Sequence, residues 1–157
     1  MSSIISLTRE IPAPATAVFD LLACPSRHPM IDGSGSVRGV RPGGPDRLFL
    51  GARFGMNMRI GLPYRILNEV VEFEEGRRIA WRHFAGHVWR YILEPLEDSQ
   101  TTSVETNKPS TRLTEQFDPT NAGSPLTLKL LGFPRRNESA IEETLDRITA
   151  MARAGSL

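Results

Sequence analysis

The stretch "VVEFEEGRRIAWRHFAGHVWRYILEPLE", residues 70–97, decides the fold. It holds three strand-like runs separated by two turn signals, Glu74-Glu75-Gly76 and Ala85-Gly86-His87. Residues two apart share a face of a strand, so the second connection can be tested by counting. A three-residue loop at Ala85–His87 puts Ile79, Trp81, His83, Trp89, Tyr91 and Leu93 on one face. The other face then carries Ala80, Arg82, Phe84, Val88, Arg90 and Ile92. An even-length loop would mix aromatics and arginines on both faces, so the odd loop is expected. One face of this hairpin is aromatic and the other is charged.

The same alternation extends outward. "ARFGMNMRI", residues 52–60, sets Ala52, Phe54, Met56, Met58 and Ile60 against Arg53, Gly55, Asn57 and Arg59, and reads as a half-buried strand. "SVRGV" before it and "STRLTEQFD", residues 110–118, are further strands, the latter with Leu113 and Phe117 on one face. "EDSQTTSVETNKP", residues 97–109, is polar with one valine, and is expected to be a long mobile hairpin tip. Upstream, "SIISLTREI" forms a first strand ended by Pro12. "PATAVFDLLA" spaces Ala17, Val18, Leu21 and Leu22 as a short helix with Pro14 near its first turn. Pro25 and Pro29 limit the next segment to about one helical turn.

From about Asn121 to Ala154 the pattern is helical. Leu126, Leu130 and Leu131 come first, then Ile141, Leu145, Ile148 and Ala152 at intervals of four, three and four. Gly132 and Pro134 predict a kink or break between the two groups. The order is therefore strand, two short helices, about six antiparallel strands and one long C-terminal helix, an α+β arrangement over residues 1–157 as a single domain. A curved sheet of about seven strands wrapped around that helix encloses a hollow, and hollows in such domains hold ligands.

Composition narrows the classes of function. Lys and Arg number 19 against 18 Asp and Glu, so the formal charge is +1 and there is no electrostatic footprint for nucleic acid. No apolar run approaches the ~20 residues of a membrane helix, and the first ten residues lack the basic start and apolar centre of a secretion signal. No integral membrane segment is expected, and the expected location is cytoplasmic. The single cysteine, Cys24, allows no internal disulfide and no cysteine-rich metal site, and its apolar helical setting suggests a buried, inert thiol.

This order of elements resembles the helix-grip fold of the SRPBCC superfamily, which includes START lipid-transfer domains, birch pollen allergen-like proteins and polyketide cyclase/dehydratase-like proteins. "EIPAPATAVFDLLACPSRHPMIDGSG" is similar to the family's opening strand and proline-bounded helices. Residues 70–97 look like its central hairpin, "STRLTEQFD" like its final strand, and "LLGFPRRNESAIEETLDRI" like the closing helix of actinobacterial members. The resemblance covers nearly the whole chain, apart from the long loop at 97–109. It implies a domain that binds lipids, sterols or polyketide-like molecules, with cyclase or dehydratase activity in a minority of members.

The run Asp32-Gly33-Ser34-Gly35-Ser36 invites a phosphate-loop reading, which its context rejects. A dinucleotide fingerprint follows a strand and opens a helix, whereas this run follows a helix and leads into a strand. A nucleophile elbow needs glycines two positions either side of the serine, and Ser34 has them one position away. A flexible turn carrying the chain from the short helices to the sheet is the expected role, with a place at the mouth of the hollow as the alternative.

Candidate site residues lie on the aromatic face. His83 could act as acid or base, or donate to a ligand carbonyl, and Tyr91 could offer its phenol. Each has an ordinary alternative as a satisfied core side chain. Phe54, Met56, Met58, Trp81, His83, Trp89, Tyr91, Phe117 and Leu130 are the expected ligand-binding set, with methionines adapting to irregular shapes. Arg53, Arg59, Arg82 and Arg90 fall on the opposite faces and are expected to pair on the convex surface with Glu69, Glu72 and Glu94. Arg135 and Arg136, with Lys129, are read as a solvated helix break rather than an anion site. No motif calls for a cofactor, and neither His28, His87, Asp32 nor Asp118 falls at a metal-binding spacing.

The expected function is therefore the holding of a small hydrophobic molecule, for transport or sequestration, between the sheet and the C-terminal helix. The alternatives are a cyclase/dehydratase-type enzyme using His83 and Tyr91, and an interaction protein with a filled cavity. The sequence leaves a monomer and a homodimer equally open.

Overall fold

In the computed structural model, which describes residues 4–96, 108–123 and 133–157, the hairpin around Gly86 sets the geometry of the sheet. Trp81 pairs with Trp89 and Ile79 with Tyr91, so the two faces are composed as the odd loop requires. The loop itself is Phe84–Gly86 rather than Ala85–His87, a correction of two residues in pairing register. His83 donates from its backbone N–H to the carbonyl of His87 at 2.9 Å, and Gly86 N–H donates to the carbonyl of His83 at 2.8 Å. Gly86 has φ 96°, a conformation open to glycine, and this closes the turn before His87. His87 leaves the hairpin tip and joins His83 on the inner face.

The full order is β1 (Ile5–Ile11), α1 (Ala15–Ala23), a 3₁₀ turn (Pro25–Arg27), α2 (His28–Ile31), β2 (Val37–Val40), β3 (Arg53–Ile60), β4 (Leu62–Glu74), β5 (Arg78–His83), β6 (Val88–Leu96), β7 (Ser110–Asp118) and α3 (Phe133–Arg153). The seven strands form one antiparallel sheet in the order β1-β7-β6-β5-β4-β3-β2. β1 joins β7 at one edge, and the remaining strands follow as successive hairpins.

A bulge near Val71 explains how Glu69 and Glu72 both reach the convex face. Val70 pairs with Trp81 but Glu72 pairs with Ala80, so one extra residue in β4 reverses the alternation. Phe73 thereby turns toward the core, where it meets Phe19 of α1 edge to face at 5.4 Å. Glu69 pairs with Arg82 at 3.3 Å, and Arg90 donates to Glu72 at 2.7 Å. Arg90 also reaches Asp118 at 3.6 Å and Gln116 at 3.2 Å, forming a half-buried network across β4, β6 and β7.

α3 buries Ile141, Leu145 and Ile148 completely, the stripe its spacing predicts, and packs across β1 and β7. Asn121–Gly123 form a turn, with Ala122 N–H donating to the Pro119 carbonyl at 2.9 Å, and the helix is seen from Phe133. Pro134 lies in the first described turn of α3, and the kink or break expected at Gly132 and Pro134 falls at the edge of residues 124–132, which lie outside the described residues. Leu126, Leu130, Leu131 and residues 97–107 lie outside the described residues.

The Gly33 turn anchors α3 to the rest of the fold. Asp32 accepts hydrogen bonds from Ser34 N–H at 3.1 Å, Ser34 Oγ at 2.7 Å and Val37 N–H at 2.9 Å. Gly33 N–H donates to Thr144 Oγ1 at 2.9 Å, and Arg147 donates to the Asp32 carbonyl at 2.7 Å. A Cβ on Gly33 would overlap the Ala140 carbonyl oxygen, so glycine is required for this close approach. Cys24 caps α1 and is half-buried, with Sγ 3.3 Å from Ser26 Oγ, more exposed than its apolar neighbours suggested. Among the described residues no helix is long and apolar enough to cross a membrane.

Candidate functional site

Between the concave face of the sheet, α2 and α3 lies a cavity of about 860 Å³. That is within the range of small-molecule pockets, roughly 300–1,000 Å³. Its walls follow from strand alternation: β3 supplies Met56 and Met58, β5 Trp81 and His83, β6 Trp89 and Tyr91, and β7 Phe117. Trp89 meets Phe117 at 4.9 Å, and Trp81 meets Tyr91 at 5.4 Å. The wall residues Ser34, Ile60, Tyr64, Phe84, Arg135 and Arg136 are exposed, and they mark the mouth. Phe84, at 73% exposure, is the most open aromatic among them.

Seven of the nine expected ligand-binding residues line this one cavity. Phe54 does not; it is 1% exposed and lies behind Trp81, with ring centroids 5.6 Å apart. Leu130 lies outside the described residues. The Asp32–Ser36 turn contributes Asp32, Gly33, Ser34 and Ser36 to the rim, so it both turns the chain and borders the cavity.

Three lining groups had no place in the sequence reading of the site. Glu115 is 2% exposed and faces inward between Leu113 and Phe117. The Tyr91 hydroxyl donates to Glu115 Oε1 at 2.9 Å. His28, in α2, stacks on Trp81 at 4.9 Å and donates from Nε2 to the Leu22 carbonyl at 2.8 Å. His87 stacks on His83 at 4.5 Å, a consequence of the hairpin loop lying one residue earlier than expected. Glu115 was legible in principle, because the period of two that places Leu113 and Phe117 inside places it there too.

Burial disfavours charge on the inner groups. Burial lowers His28 and His83 to about 4, and burial together with the repulsion a second imidazolium would meet from His83 does the same to His87. Burial pushes the Glu115 carboxyl well above its ordinary range, against the opposing hydrogen bond from Tyr91, and the Asp32 charge adds to the rise. Burial, then Glu115, raises the Tyr91 phenol well above its usual value. At neutral pH the three imidazoles are uncharged, and burial favours the protonated phenol and carboxyl, while Asp32, Arg135 and Arg136 border the same space at its rim.

The buried polar side-chain atoms that lack a hydrogen-bond partner among the described residues are His87 Nδ1, Glu115 Oε2 and Asn137 Nδ2. All three residues line this cavity. Unpaired buried polar atoms are costly, and their convergence on a single space marks it as one prepared for polar groups as well as apolar ones. Among the described residues no group of three or more His, Cys, Asp or Glu is placed to hold a metal ion.

Comparison with known proteins fits this geometry. The chain is 35% identical over 151 residues to an uncharacterized protein of Mycobacterium tuberculosis, covering 92% of this chain and 62% of that protein. It thus spans less than two thirds of the length of the curated relatives it matches. A crystal structure of a Mycobacterium smegmatis protein superposes with a TM-score of 0.65 at 18% identity, covering 98% of this chain and 93% of the other. A START superfamily protein from Mycobacterium smegmatis gives a TM-score of 0.65 at 15% identity, with 96% and 97% covered. These structures share the helix-grip fold. Residues 3–153 match the model of the family described as Polyketide cyclase / dehydrase and lipid transport, and with the seven-stranded grip around its C-terminal helix the chain belongs to that family of the SRPBCC superfamily.

Proposed function

We propose that this chain holds a small hydrophobic molecule, a lipid or polyketide-like compound, in the cavity between the sheet and α3. The reading rests on the cavity of about 860 Å³ walled by Trp81, Trp89, Met56, Met58 and Phe117. A ligand burying about 300 Å² of apolar surface gains roughly 7 kcal/mol before the costs of association, enough for a useful affinity when those costs are small. Burial disfavours charge deep in the cavity, with Asp32, Arg135 and Arg136 at its rim, and this supports an uncharged or weakly polar guest. The family description, which joins lipid transport to polyketide chemistry, supports the same class of guest.

The test is native mass spectrometry of freshly purified protein, followed by organic extraction of the compounds it releases. A bound compound of defined mass and apolar character is the expected result. Protein that flies bare and fails to quench its tryptophans with hydrophobic aromatics overturns the reading, because both tryptophans of the chain line the cavity.

A second reading, an enzyme of the cyclase/dehydratase type, is favoured by the Tyr91–Glu115 pair. A buried carboxyl whose hold on its proton is strengthened suits a general acid, and His83 is an unprotonated imidazole in the same cavity, though a weakened base. Glu115→Gln preserves shape but transfers no proton, so under this reading it abolishes turnover while binding persists. Under the binding reading no turnover of the extracted compound is detected in the parent protein.

A further inference from the structure

Tyr91 and Glu115 are directly paired residues on neighbouring strands, and their hydrogen bond leaves one carboxyl oxygen unassigned. We propose that the Glu115 carboxyl is the polar anchor of the cavity, donating a hydrogen bond from Oε2 to a carbonyl oxygen of the bound molecule while Tyr91 holds the carboxyl in place. This rests on the binding reading above and names the ligand class: flat, conjugated ketones and related carbonyl compounds.

Glu115 is 2% exposed, and among the described residues it has no salt bridge and a single hydrogen-bond partner, the Tyr91 hydroxyl. A buried carboxylate without a cation is unfavourable, so the group keeps its proton. The phenol already donates to Oε1, so the proton belongs on Oε2, the oxygen that lacks a partner. An O–H donor buried in a cavity wall calls for an acceptor. The rings of Trp81, Trp89 and Phe117 share the cavity wall with it and suit a planar skeleton. A hydrocarbon would leave the donor unmet. An amine would require the carboxyl to release its proton in a dry site.

Three probes of one skeleton test this: fluorene, 9-fluorenone and 9-aminofluorene, titrated calorimetrically into the full chain. The parent protein is expected to bind 9-fluorenone about tenfold more tightly than fluorene, the worth of one hydrogen bond. Glu115→Gln can accept from Tyr91 and donate from its amide, so it retains the ketone preference. The double variant Tyr91→Phe with Glu115→Leu, which leaves neither partner orphaned, loses the preference while still binding fluorene. Equal affinities for ketone and hydrocarbon in the parent protein overturn the anchor but leave the pocket intact. Failure to bind either one overturns the pocket reading, and the anchor with it. Tightest binding of 9-aminofluorene, lost in Glu115→Gln, overturns the anchor by showing that Glu115 acts as a carboxylate counter-ion.

Discussion

The Tyr91 hydroxyl donates to Glu115 Oε1 at 2.9 Å across the β6–β7 ladder, in which the two residues are directly opposite each other. A single cross-strand pair thus sets a phenol and a carboxylic acid against the aromatic wall of the cavity. Tyr91→Phe removes the only protein donor to the carboxyl among the described residues and is expected to cost about 1–3 kcal/mol. Urea denaturation at constant slope measures it. A cost below about 0.5 kcal/mol would mean the bond contributes nothing net.

The same pair predicts a pH dependence. The folded-state pKa of Glu115 is raised above its unfolded value, near 4.5, so the folded protein binds the proton more tightly than the unfolded chain. As pH rises above 4.5 the unfolded chain releases that proton first, and the stability contributed by the protonated group is lost progressively up to the folded pKa. Glu115→Gln lacks this loss, so its stability relative to the parent is expected to improve as pH rises from about 5 toward the raised folded pKa. A constant difference across that range would show that Glu115 does not titrate differently on folding.

His28 works in the opposite direction. Its folded pKa is lowered to about 4 from 6.5, so stability is fully present above 6.5 and falls as pH drops toward 4. The gap corresponds to about 3 kcal/mol. His28→Phe keeps a ring against Trp81 and is expected to flatten the acid limb of the stability profile, leaving the part due to His83 and His87. An unchanged acid limb would assign the slope to other groups.

Gly33→Ala places a methyl group against the Ala140 carbonyl oxygen and the Thr144 backbone nitrogen, and atoms of the helix backbone cannot swing away. The expected loss is about 1–3 kcal/mol, with α3 pushed from the turn. Thermal unfolding checks the size, and Gly35→Ala, where nothing lies within 4 Å but φ is 66°, should lose less.

Met58→Trp fills space in the cavity from a half-buried wall position. Fluorene affinity should fall at least tenfold, with the melting temperature nearly unchanged. Undiminished affinity would place the guest elsewhere.

Residue order alone was enough for the strands, their faces and the closing helix, because backbone alternation and the 3.6-residue repeat are local rules that need no knowledge of distant neighbours. Trp81, Trp89, Tyr91 and Phe117 were assigned to one face by counting. Packing in three dimensions settled the rest. Gly86 adopted a positive φ that closed the hairpin loop one residue earlier and brought His87 onto His83, an outcome fixed by backbone conformation that composition does not show. The bulge near Val71 turned Phe73 inward and Glu72 outward, against a strict period of two. Phe54, apolar and inward-facing like Met56, ended behind Trp81 because which inward residues reach the hollow depends on how α2 fills the space beside the sheet. Glu115 follows the alternation that the sequence supplies. Its hold on its proton depends on burial and on the absence of a salt-bridge partner among the described residues, and both are properties of tertiary packing, since residues 24 positions apart meet there.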